Sequence, residues 1–195
     1  MQCVENHWID LDDRTLEVRC NDDYENLKTK MVYSIRAMKL KFNPKELYMM
    51  DDDILIRVSE FKKYVDKDNK PDYEGFMINT HNGYLSRHHM GKCKDDKINS
   101  SPIYVPKCNY CSGAFYFLGS KAIDILSFTY DFDLNFFDDV WKGLLLEKNE
   151  IYPTHNPHTY TDNLQHFINN QDMIGFHDHK HLFSFTGLNN HFKIN

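Results

Sequence analysis

Three consecutive carboxylates, Asp51, Asp52 and Asp53, stand between two runs of apolar, strand-forming residues, 47–50 and 54–58. Adjacent carboxylates repel one another, and burial makes their charged forms costly. Either the triplet lies in a solvated turn, or a hard cation neutralises it. In an extended backbone, Asp51 and Asp53 face one side and Asp52 the other. This is the spacing of a D-x-D site, which holds a divalent metal together with a diphosphate. Both interpretations stay open at this point.

A second pair of carboxylates, Asp138 and Asp139, stands at the start of the segment 137–147. Acidic residues are favoured in the first turn of a helix because they face the positive end of the helix dipole, and this alone can explain the pair. The functional alternative is a general base that the helix start holds against a cleft. The sequence therefore predicts a helix here and leaves the role of its carboxylates open.

Three histidines alternate near the end of the chain, His177, His179 and His181. On a strand all three would share one face, as the ligands of a metal site do. Isolated histidines are mostly surface residues, so a single functional histidine in this group is the simpler hypothesis.

The cysteines offer a different metal or redox hypothesis. Cys108 and Cys111 form a C-x-x-C pair, with Cys93 and the pair His88-His89 upstream. Such a pair binds zinc or acts in thiol chemistry. No second well-spaced pair accompanies it, so incidental or disulfide-bonded cysteines are the alternative. The odd total of five cysteines favours a reducing compartment.

Composition limits the class of protein. With 195 residues, of which 41% are hydrophobic, the chain is long enough for one domain with a substantial core and short for two. The formal net charge of -6, without a long basic stripe, argues against a nucleic-acid partner. No stretch of about 20 apolar residues is present to span a membrane. The polar, acidic start lacks the features of a signal peptide, so we expect a cytoplasmic protein.

Helices and strands must bring these residues together. Apolar periodicity predicts helices over 24–40, 59–64, 121–127 and 137–147, and strands over 14–20, 47–50, 54–58, 74–79, 114–118, 151–152, 173–177 and 182–185. The dipeptide Ser112-Gly113 predicts a turn. Alternation of the two element types predicts an α/β fold, as a single domain over residues 1–195.

Short segments of the chain also form an ordered set. They are 24–30 (YENLKTK), 51–56 (DDDILI), 89–92 (HMGK), 110–118 (YCSGAFYFL), 138–143 (DDVWKG) and 175–177 (GFH). In this order they resemble the Y-x-N-L-x-x-K, D-D-D-V-F-V, H-x-G-K, Y-C-x-G-x-x-Y-x-x-S, E-D-V-x-x-G and late apolar-His elements of one family. That family is glycosyltransferase family 31, the β-1,3-galactosyltransferase and N-acetylglucosaminyltransferase family. Each segment is weak alone, whereas their order across about residues 16–180 is specific.

The resemblance implies a GT-A-like fold, a Rossmann-like mixed sheet flanked by helices, and an inverting β-1,3-type transfer. A hexose or N-acetylhexosamine would pass from a UDP-sugar to a hydroxyl of a glycan or glycoconjugate, with Mn²⁺ or Mg²⁺ as cofactor. By position, Asp53 and His177 would hold the metal, while Asp51 and Asp52 would contact the metal shell or the nucleotide. Asp139 would be the catalytic base.

The resemblance gives three further residues a role in donor binding. Lys30 would assist the diphosphate or simply solvate its helix. Ser112 and Gly113 would let the backbone approach the sugar closely. The chain departs from the family pattern at Ala114 and Gly119, where the family has Gly and Ser, and this reshapes the donor pocket we expect.

The largest departure lies before the first matching segment. Family members carry an additional strand–helix region there that helps to bind uridine, whereas about 20 residues precede the segment in this chain. We therefore expect the part that grips the base to be reduced, missing or supplied by a partner subunit. A face left exposed by the missing region would favour a homodimer. A catalytically degenerate glycan-binding or partner-binding module is the alternative function. The Golgi or secretory lumen is the alternative location that the family implies.

Overall fold

The computed structural model describes residues 8–12 and 15–178. Its strands are β1 (Trp8–Asp12), β2 (Thr15–Val18), β3 (Glu46–Met50), β4 (Ile54–Ile56), β5 (Tyr73–Asn79), β6 (Tyr84–Ser86), β7 (Ile103–Val105), β8 (Asn109–Gly119), β9 (Thr154–His155), β10 (Tyr160–Thr161) and β11 (Gly175–His177). Its helices are α1 (Leu27–Phe42), α2 (Val58–Val65), α3 (Asp96–Asn99), α4 (Ser120–Phe128), α5 (Asp138–Lys148) and α6 (Leu164–Asn169), and a 3-10 turn at Tyr24–Asn26 precedes α1. This alternation confirms the predicted α/β class.

A four-stranded sheet in the order β3-β8-β5-β9 forms the centre of the molecule. β8 pairs antiparallel with β3 and β5, and β5 pairs parallel with β9, so the sheet is mixed as predicted. Tyr116 and Leu118 join the core under α1, α4 and α5, and Phe115 and Phe117 join the core under α2. These four side chains are at most 4% exposed. Burial of side chains of this size contributes about 1.5–3 kcal/mol each, which makes β8 the anchor of the sheet.

The acidic triplet lies in the turn between β3 and β4, which belong to different sheets. The Asp51 N–H donates to the carbonyl oxygen of Ala114 at 3.0 Å, and the Ile54 N–H donates to the carbonyl oxygen of Asp51 at 3.3 Å. The chain turns here because three adjacent carboxylates do not continue into a buried strand. β4 joins a second sheet, β10-β11-β4, in which β11 runs antiparallel to β4 and sets His177 opposite Ile54.

Helix α5 packs unusually close to the central sheet. A Cβ atom at Gly143 would lie 2.6 Å from the Cβ of Tyr110, so only glycine permits this approach. The indole of Trp141 stacks on Phe132 with 5.8 Å between ring centroids, and its Nε1–H donates to the carbonyl oxygen of Asp131 at 2.8 Å. These contacts fix the start of α5, where the second pair of carboxylates stands.

Peripheral elements complete the described part of the chain. The antiparallel pairs β1-β2 and β6-β7 lie outside the two larger sheets. The loop between β6 and β7 is anchored by buried His89, whose Nε2 lies 2.9 Å from the Ile98 carbonyl oxygen and 3.1 Å from that of Ser101. Within the described ranges, no helix has the length and apolarity needed to cross a membrane.

Two local predictions are wrong. Ser112-Gly113 is not a turn but part of β8, at a point where the register against β5 shifts between Gly75 and Met77. Such a bulge absorbs the irregularity that the Ser-Gly pair introduces. Residues 151–152 form no strand, and the next strand along the chain is β9. The strand predicted over 182–185 lies outside the described residues.

Candidate active site

Asp51, Asp53 and His177 converge at the turn between β3 and β4. One possible ligand atom from each lies within 4.8 Å of the others. The Nε2 atom of His177 is 3.3 Å from Oδ1 of Asp53, yet this buried oxygen accepts no hydrogen bond of good geometry. A buried carboxylate oxygen without a donor is costly unless a cation neutralises it. Two carboxylates and one imidazole therefore fit a divalent metal.

Asp162 orients the imidazole of His177. β10 runs parallel to β11 and pairs Thr161 with Phe176. The residues that follow this pair, Asp162 just after β10 and His177 at the end of β11, therefore also come together. Oδ1 of Asp162 lies 3.1 Å from Nδ1 of His177. An ionised carboxylate only accepts, so Nδ1 carries a proton and Nε2 is the nitrogen that faces Asp53. No local sequence pattern marks Asp162, because its role depends on the pairing of two strands.

Arg57 anchors the segment that leads into β11. Its guanidinium lies 4.4 Å from the ring centroid of Phe167. It donates hydrogen bonds of 2.8–3.0 Å to four backbone oxygens, those of Phe167, Asn170, Gln171 and Met173. Because Arg57 directly follows β4, these bonds fix the chain before His177 relative to the acidic triplet. Sequence reasoning missed this residue as well.

Crowding of the carboxylates affects the protonation of Asp51. Desolvation, and next the charge of Asp53, raises the pKa of Asp51 to about 6. His177 opposes this shift. Asp52 is exposed and lies outside the three-residue group. Asp51 is exposed as well, but one of its carboxylate oxygens lies in the group with those of Asp53 and His177.

Asp138 and Asp139, consecutive in the first turn of α5, line two different clefts. Asp138 lines a cleft of about 350 Å³ together with Asp51 and Gly113, and we name this the metal-side cleft. Asp139 lines a second cleft of about 370 Å³, which we name the aromatic cleft. The other residues that line the aromatic cleft are Tyr84, Ser86, His88, Tyr110, Phe137 and Val140. The start of α5 thus separates two spaces, with one carboxylate in each.

The carboxylate of Asp139 is suited to accept a proton. Desolvation, and next the charge of Asp138, raises its pKa to about 6. The Val140 N–H donates to Oδ1 of Asp139 at 2.8 Å, which orients the group. A carboxylate with a pKa of this size is mostly ionised at pH 7 and takes a proton more readily than an ordinary aspartate.

Of the three residues expected to bind the donor, Lys30 and Gly113 line the metal-side cleft, whereas Ser112 is not among its lining residues. Nζ of Lys30 is 2.5 Å from Oδ1 of Asp22. The hydroxyl of Tyr160 donates to Oγ of Ser112 at 2.6 Å. A Cβ atom at Gly113 would meet no heavy atom within 4 Å, so the space beside this backbone is open.

Comparison with known families now assigns the chain to one of them. The family model described as Galactosyltransferase matches residues 12–157, well over half of the chain. This chain belongs to the galactosyltransferase family. The resemblance to glycosyltransferase family 31 and the GT-A-like α/β class are thereby confirmed, and the protein is a glycosyltransferase with a sugar donor and an acceptor. No individual curated protein matches it.

The match covers part of the candidate site of this galactosyltransferase-family chain. Asp51, Asp53 and Asp139 lie within the matched residues, whereas Asp162 and His177 follow them. Outside the matched residues, the structure places His177 next to Asp51 and Asp53, and Asp162 next to His177.

The zinc hypothesis gains no support within the described residues. There, the group of three metal-type ligands is the one formed by Asp51, Asp53 and His177, with no cysteine in it. Cys108 and Cys111 are buried free thiols. Burial raises the pKa of the Cys111 thiol to about 12, so this thiol is protonated at pH 7 in the metal-free protein. His179 and His181 lie outside the described residues.

Proposed function

We propose that this galactosyltransferase-family chain is a metal-dependent inverting glycosyltransferase. It moves a hexose or N-acetylhexosamine from a UDP-sugar to a hydroxyl of a glycan or glycoconjugate. The arrangement at the start of α5 carries the proposal, because Asp138 shares the metal-side cleft with Asp51 while Asp139 lines the aromatic cleft. A donor in the first cleft and an acceptor in the second would meet at this helix start.

Asp51, Asp53 and His177 are the residues that would hold the metal. Carboxylates suit Mg²⁺ and Mn²⁺ alike, but an imidazole ligand favours Mn²⁺, since Mg²⁺ prefers an all-oxygen shell. When bound, the ion supplies positive charge that stabilises the departing diphosphate. The carboxylates of Asp51 and Asp53 repel a diphosphate until they are neutralised, so donor binding depends on the metal.

Asp139 would act as the general base. It takes the proton of the acceptor hydroxyl while that oxygen attacks the anomeric carbon from the face opposite UDP. The new glycosidic bond forms as the bond to the diphosphate breaks, so one displacement inverts the anomeric centre and no enzyme nucleophile is needed. Because Oδ1 already accepts from the Val140 N–H, the second oxygen of the carboxylate is the one we assign to the acceptor.

The aromatic cleft would bind the acceptor sugar. Tyr84, Tyr110 and Phe137 supply apolar ring surface, and the hydroxyls of tyrosine and Ser86 supply polar contacts. A sugar ring has polar edges and two faces, of which one is more apolar than the other, so a cleft with aromatic walls and hydroxyl groups suits it. The cleft places such a ring next to the Asp139 carboxylate.

Release of UDP from a panel of UDP-sugars, measured with glycan acceptors and with or without manganese, tests the proposal. We expect turnover that EDTA abolishes. Asp53→Asn should lose both manganese binding and activity, whereas Asp52→Asn, the same chemical change at the exposed neighbour, should keep both. Asp139→Asn should retain manganese and UDP binding but lose about 10²–10⁴-fold in kcat.

Two outcomes would contradict the proposal. Equal losses in the Asp52 and Asp53 variants would refute the ligand assignment. Binding of UDP-sugar and glycan without turnover, under any divalent metal, would instead support a degenerate binding module.

A further inference from the structure

Lys142 is a fully buried lysine that the mechanism above does not use. It lies on α5, one helical turn after Asp138 and Asp139, with 0% of its surface exposed. Its Nζ stands 3.2 Å from the ring centroid of Tyr116 and 6.0 Å from that of Tyr73. Nζ has no hydrogen-bond acceptor in the described structure, so the side chain meets aromatic faces rather than a carboxylate.

Packing alone does not account for this lysine. Removing an ammonium from water is costly, and an apolar side chain of similar length would fill the same space without that cost. A cation over the faces of aromatic rings regains part of the cost. Desolvation lowers the pKa of Lys142, and the negative charges of Asp138, Asp139 and Asp51 oppose this shift and favour the ammonium form. The position is therefore one where a positive charge interacts with the acidic groups of the site.

The other groups around Asp139 do not supply such a charge. Among the described residues, the charge of Asp139 acts on Tyr24, Tyr73, Cys108, Tyr110, Tyr116 and Tyr160, and the pKa of each is raised, so each is neutral at pH 7. Across the aromatic cleft, burial and then Lys92 lower the pKa of His88, so this imidazole is neutral too. Asp138 is negative and repels the Asp139 carboxylate. In the part of the chain that the structure describes, Lys142 is the cation whose charge opposes the raised pKa of Asp139.

Resting on the proposed function, we propose that Lys142 is a positioning residue whose buried ammonium keeps the Asp139 carboxylate ionised and ready to accept the acceptor proton. It acts from behind the helix start and touches neither substrate. Two adjacent carboxylates in the first turn of α5 cannot both stay ionised in a half-buried site without a compensating charge. Once Asp139 has taken the proton, the positive charge behind it favours return of that proton to solvent.

The pH dependence of kcat/KM in the manganese-saturated enzyme tests this role. In Lys142→Met, which keeps the length of the side chain, the acidic limb of the profile should move to higher pH. The variant should lose roughly tenfold more activity at pH 5.5 than at pH 8, since one pKa unit corresponds to a tenfold change in ionised fraction. The matched control is Lys148→Met on the same helix, where the exposed ammonium pairs with Asp131 at 2.9 Å, and its profile should match the wild type. An equal loss at every pH would overturn the proposal.

Two NMR measurements test the proposal in other ways. The first needs no enzymatic turnover, and the second needs no Lys142 variant. The carboxyl carbon of Asp139, followed by NMR, should titrate at higher pH in Lys142→Met than in the wild type, and coincident titrations would overturn the proposal. If the variant does not fold, the Cε signal of Lys142 in the wild type should be that of an ammonium from pH 6 to 8. A neutral amine in that range would overturn it. An inactive wild type that passes the NMR tests would indicate failure of the proposed function and not of the role of Lys142.

Discussion

Replacing Asp162 by asparagine tests how far the metal site depends on a residue that does not itself touch the metal. The carboxylate accepts from Nδ1 of His177 at 3.1 Å, which keeps Nε2 directed at Asp53. Asparagine is neutral, and its NH₂ group can face Nδ1 as readily as its oxygen can. His177 therefore loses both its electrostatic support and its defined tautomer.

The expected loss of manganese affinity depends on how exposed the Asp162–His177 pair is to solvent. Removing the carboxylate partner of a metal-binding histidine typically weakens metal affinity 10- to 100-fold. The Asp162 side chain is 58% exposed, so solvent screens its charge and the lower end applies. We expect about a tenfold weaker manganese affinity, or about 1.4 kcal/mol of binding free energy.

Calorimetric titration of manganese into the metal-free protein measures this change. Asp172→Asn is the matched control, because Asp172 is also exposed and lies five residues before His177, on the loop between α6 and β11. The control should bind manganese as the wild type does, and Asp162→Asn should recover most of its activity at saturating metal. Unchanged affinity in Asp162→Asn, or the same loss in both variants, would refute the reasoning.

Other perturbations test the elements that position the site. Gly143→Ala would place a Cβ 2.6 Å from that of Tyr110 and 2.8 Å from the Asn109 carbonyl oxygen. Because the clash involves a backbone oxygen as well as a Cβ, we expect a strain in the upper part of the range of about 1–3 kcal/mol. This outweighs the roughly 1 kcal/mol gain in helix propensity, so thermal denaturation should show a lower Tm. Arg57→Lys keeps the charge but loses the forked donors, which should cost about 1.5–3 kcal/mol in denaturant unfolding and also weaken manganese binding. In EDTA, the pKa of Asp51, raised from 3.8 to about 6, means that the folded state binds this proton more tightly than the unfolded chain. Stability should therefore fall as pH rises through that window, and Asp51→Asn should flatten the dependence. A Tm of Gly143→Ala at or above that of the wild type, full stability of Arg57→Lys, or an unchanged pH slope would contradict the respective prediction.

Much of the fold could be predicted because local patterns determine the elements. The apolar periodicity of α1 gives that helix one hydrophobic face, and the continuous apolar run of β8 gives that strand two. In both elements the burial of this surface decides the local structure. Ser112-Gly113 shows where local reasoning fails. Its turn propensity is real, but the pairs Cys111–Met77 and Tyr116–Gly75 on both sides of it keep the backbone in the sheet, and the irregularity becomes a bulge. Tertiary hydrogen bonds outweigh a preference of about 1 kcal/mol.

The carboxylates of the candidate site were also recognisable from the sequence. Three adjacent charges between strands demand either a turn or a cation, and the structure supplies the turn while directing Asp51 and Asp53 towards His177. Asp138 and Asp139 mark a helix start because the positive end of the helix dipole stabilises acidic residues in the first turn. These inferences succeed because charge repulsion and helix polarity act between neighbours along the chain.

Only the tertiary structure decided the contacts between residues that are far apart in sequence. Asp162 reaches His177 through the parallel pairing of β10 and β11, and Arg57 holds the preceding segment through backbone oxygens that any sequence would offer. Lys142 is a surface residue by type, and its burial follows from the close approach of α5 to β8 that Gly143 allows. The sequence alone determined which groups can carry charge and where the chain must turn. Packing decided which charges meet, because desolvation and strand pairing are properties of the assembled fold.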